Sequence, residues 1–436
     1  MRVCRRKGKH MGAALACVAL VCTVLTVSVL PARARVYTLE ECIEVALTEN
    51  TTLARAREDL RGADADVMSG WSGVLPHVSA GATASDNLAV IDGVDIKSEG
   101  LTGSIGLSQT LFDGSTFARI AGAHRGRTAT KLSLEFTRRE IVFETKRAYY
   151  SLLRAVQLRD VQEEAVDLVR EQLRKTRSLF DLGSASKSDL LKAQVQIGEA
   201  ELAFIATDKA AEIARAGLAL SLGIDVTTEI EAVDPPEDSL EEEVTDFDIE
   251  AAISSRPDIK SWEELLVAAR RSLLASQAGW WPELNLSMSY SRGVGSHWLG
   301  DLFEDPRQNY TRSTSVSLSL PIFNGLATKA SVDGSRSSLR SYEISLRNAR
   351  LLAAYEIESA RLSAEEGRRS VEVAGQSVLQ AEEDLRVSEE RFRLRAASML
   401  ELIDARVAYS RARAGLVDAR FNYEIAKAEL KLALGL

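Results

Sequence analysis

The chain has few of the residues from which most active sites and metal centres are built. Of its 436 residues only four are histidine and four cysteine. That is thin material for the Cys/His sets that hold zinc, and no metal site is expected. Three of the cysteines (Cys4, Cys17 and Cys22) fall within residues 1–34. That stretch reads as a signal peptide. Arg2, Arg5, Arg6, Lys7 and Lys9 precede an apolar run from Ala13 to Leu30, and Ala32-Arg33-Ala34 is a small-x-small cleavage pattern. The run is long for a signal, so an uncleaved anchor is the other reading. Cys17 lies mid-run, which argues against a lipoprotein. Cleavage would leave Cys42 alone, without a disulfide partner, so stability would have to come from size and helix packing. Cleavage would also take six basic residues and no acid from a chain of 54 Lys/Arg and 63 Asp/Glu, deepening its formal charge from −9 to −15. So acidic a chain offers nucleic-acid phosphates no surface. No Ser/His/Asp constellation and no G-x-x-x-x-G-K-S/T loop is present, so neither an enzyme nor a cofactor is expected. Beyond residue 34 no run of 18 apolar residues could carry a helix across a bilayer.

Proline is missing from 77–234 and again after Pro321. Proline breaks helix interiors, so both stretches are free to hold long helices. The segments 114–182 and 325–394 read as helices of roughly 100 Å at 1.5 Å per residue. Val371, Ala374, Val378, Ala381, Leu385, Ser388 and Phe392 follow a 3-4-3-4 coiled-coil spacing, as do Leu416, Ala419, Tyr423, Ala426, Leu430 and Ala433. Residues 39–73 and 186–222 read as shorter helices which, stacked end to end, match one long helix.

These features occur twice. Ala46, Gly73 and Pro76 recur 206 residues later as Ala252, Gly279 and Pro282; Phe112 and Gly114 recur 211 later as Phe323 and Gly325; Phe180, Leu182, Ser186 and Gly223 recur 212 later as Phe392, Leu394, Ser398 and Gly435. A repeat of this length decides architecture. The expected organisation is a first repeat over 35–224, an acidic solvated linker over 225–249 and a second repeat over 250–436.

Four segments break the helical pattern: 76–86, 100–111, 282–292 and 313–321. Leu284, Leu286, Met288 and Tyr290 alternate with Asn285, Ser287, Ser289 and Ser291, and Val316, Leu318 and Leu320 alternate with serines. Strands of this length and period suit a membrane barrel. Trp71, Phe112, Trp280, Trp281 and Phe323 sit at the helix-side strand ends, where an interfacial aromatic belt would lie. The connections 87–99 and 293–312 are expected as exposed loops at the other end. Four strands cannot close, and lipid tolerates no open edge. A homotrimer with 12 strands is the smallest assembly with a useful lumen. The fold class expected is therefore mainly α with a small β part: long coiled-coil helices forming a trimeric α-barrel, and four strands per chain in a 12-stranded β-barrel.

The opening Leu39-Glu40-Glu41-Cys42-Ile43-Glu44-Val45-Ala46-Leu47, then Gly73-Val74-Leu75-Pro76, Leu111-Phe112-Asp113-Gly114 with its echo Ile322-Phe323-Asn324-Gly325, and Phe180-Asp181-Leu182-Gly183-Ser184 resemble the TolC-type outer-membrane efflux proteins over essentially all of 37–436. The resemblance implies an exit duct in the outer membrane with a long periplasmic extension. Its tip would meet a periplasmic adaptor and an inner-membrane transporter, in efflux or type I secretion. By residue match Glu401 and Asp404 would form acidic rings at a cation-selective entrance, and Leu182, Gly183, Ser184 and Leu394 would face the adaptor. Asp189 matches a closed-state latch acid. Its family partners, a tyrosine and an arginine, are replaced by Phe392 and Ala397, so Arg393 or Arg395 would have to substitute. A periplasmic coiled-coil scaffold without a pore is the rival reading; it leaves the strands unexplained.

Overall fold

A computed structural model of the chain describes residues 35–91, 94–235, 247–294, 302, 309–394 and 396–436. The proposed leader 1–34, the acidic run 236–246 and Arg395 lie outside the described residues. In chain order the elements are β1 (Arg35–Tyr37), α1 (Leu39–Glu49), α2 (Thr51–Ser72), β2 (His77–Ile91), β3 (Val94–Phe112), α3 (Gly114–Asp181), α4 (Lys187–Leu222), β4 (Ile230–Ala232), α5 (Ile249–Ser255), α6 (Pro257–Gln277), β5 (Glu283–Val294), β6 (Tyr310–Ser319), α7 (Ala327–Arg393) and α8 (Met399–Ala433). The duplication is carried element for element, from α1-α2-β2-β3-α3-α4 to α5-α6-β5-β6-α7-α8.

The proline-free stretches hold the two long helices, α3 with 68 residues and α7 with 67. At 1.5 Å per residue each runs about 100 Å. α3 packs on α2 and α6 over its first part and on α4 and α8 further along. On α7 every seam position from Val371 to Phe392 is at least half-buried, while the residues flanking it, Gly375 apart, are exposed. Small residues let the helices approach closely: Ala360 and Ala364 share a buried cluster with Ala426 and Ala433.

Residues 39–73 are not one helix. The break falls at Asn50, whose backbone turns extended (φ −62°, ψ 125°). Its carboxamide oxygen accepts from the N–H groups of Thr52 and Leu53 at 2.9 and 3.3 Å, and its nitrogen donates to the Ser221 carbonyl at 2.8 Å. One side chain thus caps the helix that follows and satisfies a carbonyl at the C-terminus of α4. Arg256 occupies the same place in the second repeat. It too is extended (φ −59°, ψ 131°), and it donates to the Ala433 carbonyl at 3.2 Å. The end-to-end stacking read from helix lengths is made at these joints. Gly223 closes the first of them at φ +78°, where an added Cβ would lie 2.6 Å from the Glu49 carbonyl oxygen. Strain and clash combine there, so Gly223→Ala should cost about 3 kcal/mol, seen as a lowered thermal midpoint of the purified protein; an unchanged midpoint would show the joint to be loose.

The segment 225–249 is not merely a solvated linker. β1 and β4 pair in parallel, with Arg35 opposite Ile230 and Tyr37 opposite Ala232. Ile230 stands between Glu229 and Glu231, and strand alternation turns it inward to 1 % exposure while the acids stay out. The Tyr149 hydroxyl donates to the Val233 carbonyl at 2.6 Å and lies 3.2 Å from that of Tyr37. Burial first, then the Cys42 thiol, pushes the Tyr149 phenol up to about 12. Around this clasp Leu53, Leu152, Leu218, Leu222 and Phe421 form the main core.

The four long strands form one antiparallel sheet in the order β2-β3-β5-β6. The first hairpin outruns the expected strands. Its ladder continues from His77↔Ser108 to Ile91↔Val94, so most of the expected loop 87–99 is strand. Glycine, serine and aspartate had masked an alternation that continues through Leu88. Facing residues share a side of the sheet. One side carries Val78, Leu107, Met288 and Thr314 on a single rung, with Ile105, Val316 and Leu318 nearby, all but Leu107 exposed. The other side is rich in serine, threonine and glycine, with hydroxyl pairs Ser287–Ser315 and Ser289–Ser313 at 2.7 Å. Among the described residues β2 and β6 each have one neighbour, and no helix is long and apolar enough to cross a membrane.

Candidate functional site

The two hairpin turns, α3–α4 and α7–α8, are built alike. In the first, Gly183 takes φ +74° and donates to the Phe180 carbonyl at 2.8 Å, while the Ser184 N–H reaches Leu179 at 2.7 Å. In the second, the Ala396 N–H reaches the Arg391 carbonyl at 2.8 Å. These six-to-one bonds satisfy carbonyls at the helix end and reverse the chain. Each turn then lifts its leucine into solvent, Leu182 at 77 % and Leu394 at 73 % exposure. A Cβ at Gly183 would meet nothing within 4 Å. Ser184 is likewise exposed.

Asp189 is engaged within its own hairpin. Its carboxylate accepts from the Ser186 hydroxyl at 2.7 Å and the Ser186 N–H at 3.3 Å, completing a capping box at the start of α4. Arg393 pairs with Glu390 on its own helix at 2.5 Å. Phe392 is half-buried in the α7 seam. Within one chain, therefore, Asp189 and Arg393 are each partnered elsewhere.

Glu401 and Asp404 are both exposed in the first turns of α8. They are not electrostatic equals. Arg391 approaches Glu401 at 3.5 Å and donates to the Ala396 carbonyl at 3.3 Å, bridging the turn. Asp404 has no ion pair among the described residues. Sequence reasoning missed Arg391, because ten residues separate it from Glu401 and only the folded hairpin brings them together.

Trp71, Phe112, Trp280, Trp281 and Phe323 all lie at the opposite end of the long helices, where helix passes into sheet, and all remain at least two-fifths exposed. Phe112 packs on Phe117 with ring centroids 6.3 Å apart. The Trp281 ring sits where a Cβ on Gly114 would fall. Beyond Phe323, the exposed Leu326 takes a left-handed φ of 69° to start α7. A second aromatic level went unread in the sequence: Tyr290 and Tyr310 stack at 5.8 Å on the apolar side of the sheet, nine residues along from Trp281. Among the described residues no three His, Cys, Asp or Glu side chains are grouped to hold a metal ion.

Twin helical hairpins carrying a sheet with one greasy face define a membrane-associated, duct-type architecture. The family description "Outer membrane efflux protein" matches residues 42–224 and 249–436. The chain is 24% identical over 405 residues to "Probable efflux pump outer membrane protein TtgC" of Pseudomonas putida, covering 91% of this chain and 82% of that protein. It is 20% identical over 419 residues to "Outer membrane protein TolC" of Escherichia coli, with the same coverage. The solved structure of the Campylobacter jejuni CmeC outer membrane channel superposes with a TM-score of 0.82 at 19% identity, over 91% of this chain and 85% of that one. The chain belongs to the outer membrane efflux protein family. It is an outer-membrane channel protein and not an enzyme.

Proposed function

We propose that three copies of this chain assemble into one passive exit duct. The twelve strands would close in the outer membrane and the helices would form a tube across the periplasm. The observation that carries this reading is the sheet: four strands with two single-neighboured edges, an exposed apolar face and a hydroxyl-lined face. Closure removes the edges, puts the apolar face in lipid and leaves Ser/Thr to line water. The helices support it. Leu191, Val195, Leu202 and Ile205 on α4, and Ile344, Leu351, Tyr355 and Leu362 on α7, are more than half exposed at near-heptad spacing. Such stripes suit helices of a neighbouring copy.

At the far end, Leu182, Gly183, Ser184 and Leu394 would receive a periplasmic adaptor that couples the duct to an inner-membrane transporter. Energy would come from that transporter, for efflux or for protein secretion. Glu401 and Asp404, repeated three times, would ring the entrance; Asp189, Phe392, Arg393 and Arg395 would govern its closed state. The duct reading is tested by native mass spectrometry and planar-bilayer recording of the protein extracted from outer membranes. Trimer mass with cation-selective currents supports it; a soluble monomer without currents would overturn it. The tip assignment is tested by Leu182→Glu, which costs the fold little because that side chain is already in solvent. Trimer yield should stay normal while efflux, read as drug accumulation in cells, is lost. Unchanged efflux would remove Leu182 from the adaptor surface.

A further inference from the structure

We propose that Arg312 and Arg292 form a binding site on the outer wall of the barrel for the phosphate headgroup of an outer-leaflet lipid. The inference rests on the barrel reading, which turns the apolar side of the sheet to lipid. Arg312 on β6 lies opposite Tyr290 on β5, and the next rung pairs Arg292 with Tyr310. All four project on the side that carries Met288 and Ile105, since paired residues share a face and next-but-one residues return to it. The Arg312 guanidinium lies 5.3 Å from the Tyr310 ring centroid and 5.9 Å from that of Tyr290. The stack holds the cation flat while leaving its N–H fork open to an acceptor.

Arg292 is the independent observation. It is 7 % exposed; its Nη1 donates to the Leu302 carbonyl at 2.5 Å, and its Nε is buried without a hydrogen-bond partner. Behind the exposed Arg312, this guanidinium adds a second positive charge to the same face, with one N–H left unpaired.

Height in the membrane selects the lipid part. Nine residues from Trp281 to Tyr290 span about 30 Å of strand. At a tilt near 40° that is about 23 Å of height, close to the apolar band of a barrel. Trp281 marks the inner boundary, so the arginines stand at the outer one, where headgroup phosphates lie. A phosphate accepts bidentate bonds from Arg. Among the described residues, the carboxylates on this face, Asp86 and Glu99, are on β2 and β3 and several rungs further out.

The test is native mass spectrometry of the intact assembly titrated with bisphosphorylated lipid A, and separately with dephosphorylated lipid A. Wild type should retain the phosphorylated lipid, and Arg312→Gln should reduce retention at least about fivefold, the scale of losing one charge-assisted pair. Arg312→Lys should retain an intermediate fraction. Trimer mass and conductance should be unchanged in both variants, which separates failure of this site from failure of the barrel reading. Equal retention by wild type and Arg312→Gln would overturn the proposal, as would equal retention of the two lipids by wild type. Displacement of the lipid by millimolar inorganic phosphate would also overturn it, by assigning the site to the free ion.

Discussion

Lys427→Met should destabilise the protein by about 3–5 kcal/mol, at least as much as the change at Gly223. Lys427 and Glu424 lie on α8 at 7 % and 5 % side-chain exposure, and their charged atoms meet at 2.8 Å. The ammonium also lies 4.9 Å from the centre of the Tyr423 ring. Glu424 keeps one carboxylate oxygen that is buried without a hydrogen-bond partner. Assembly can only deepen this burial. Removing the lysine leaves a carboxylate in the helix packing with no counter-charge, and desolvation then outweighs anything regained. Glu424→Gln should cost less, since Gln is neutral and can still accept from the ammonium. The paired variant Glu424→Gln/Lys427→Met should recover most of the loss, because two neutral side chains replace two buried charges. Thermal midpoints of the four proteins in detergent form a double-mutant cycle. Single-variant losses that simply add would show that water reaches the pair and that it does not act as a unit.

Much of the fold could be read from the sequence because it obeys long periods. Two proline-free stretches and a 3-4 seam fix helices of 68 and 67 residues to within two residues at each end, and alternation in 282–292 fixes β5. Two of the misses depend on a partner distant in the chain. Asn50 is a local helix cap, but the joint it makes also needs Ser221, 171 residues away. β4 is three residues among acids and exists only because β1 lies beside it. Over the expected loop 87–99 composition favours a loop, and cross-strand pairing overrides it. The two hairpin turns were legible as turns, while the ion pairs across them were not. The Asp189 capping box is a local S-x-x-D pattern and could have been found; the Arg391–Glu401 pair spans the turn and could not.

That last pair changes what neutralising the proposed entrance should do. If Glu401 and Asp404 ring the axis, replacing both with their amides should lower the potassium-to-chloride permeability ratio about tenfold, the low end of what a focused ring of one sign achieves. The two acids should not contribute equally. Arg391 stands 3.5 Å from Glu401, and both side chains are about half exposed, so the pair adds little to stability but cancels much of the local field. Asp404, exposed one turn further along the helix, keeps its charge. Asp404→Asn alone should therefore lower selectivity more than Glu401→Gln. Arg391→Gln should raise it, by freeing three carboxylates per trimer. The ordering is best measured near 0.1 M salt, where the screening length of about 10 Å leaves the ring's field intact across a narrow opening. In 1 M salt the wild type and the four variants should converge. Equal effects of the two acid variants would mean that Arg391 turns away from Glu401 in the assembled tube. No effect from either would move the selectivity filter off the tip of α8 altogether.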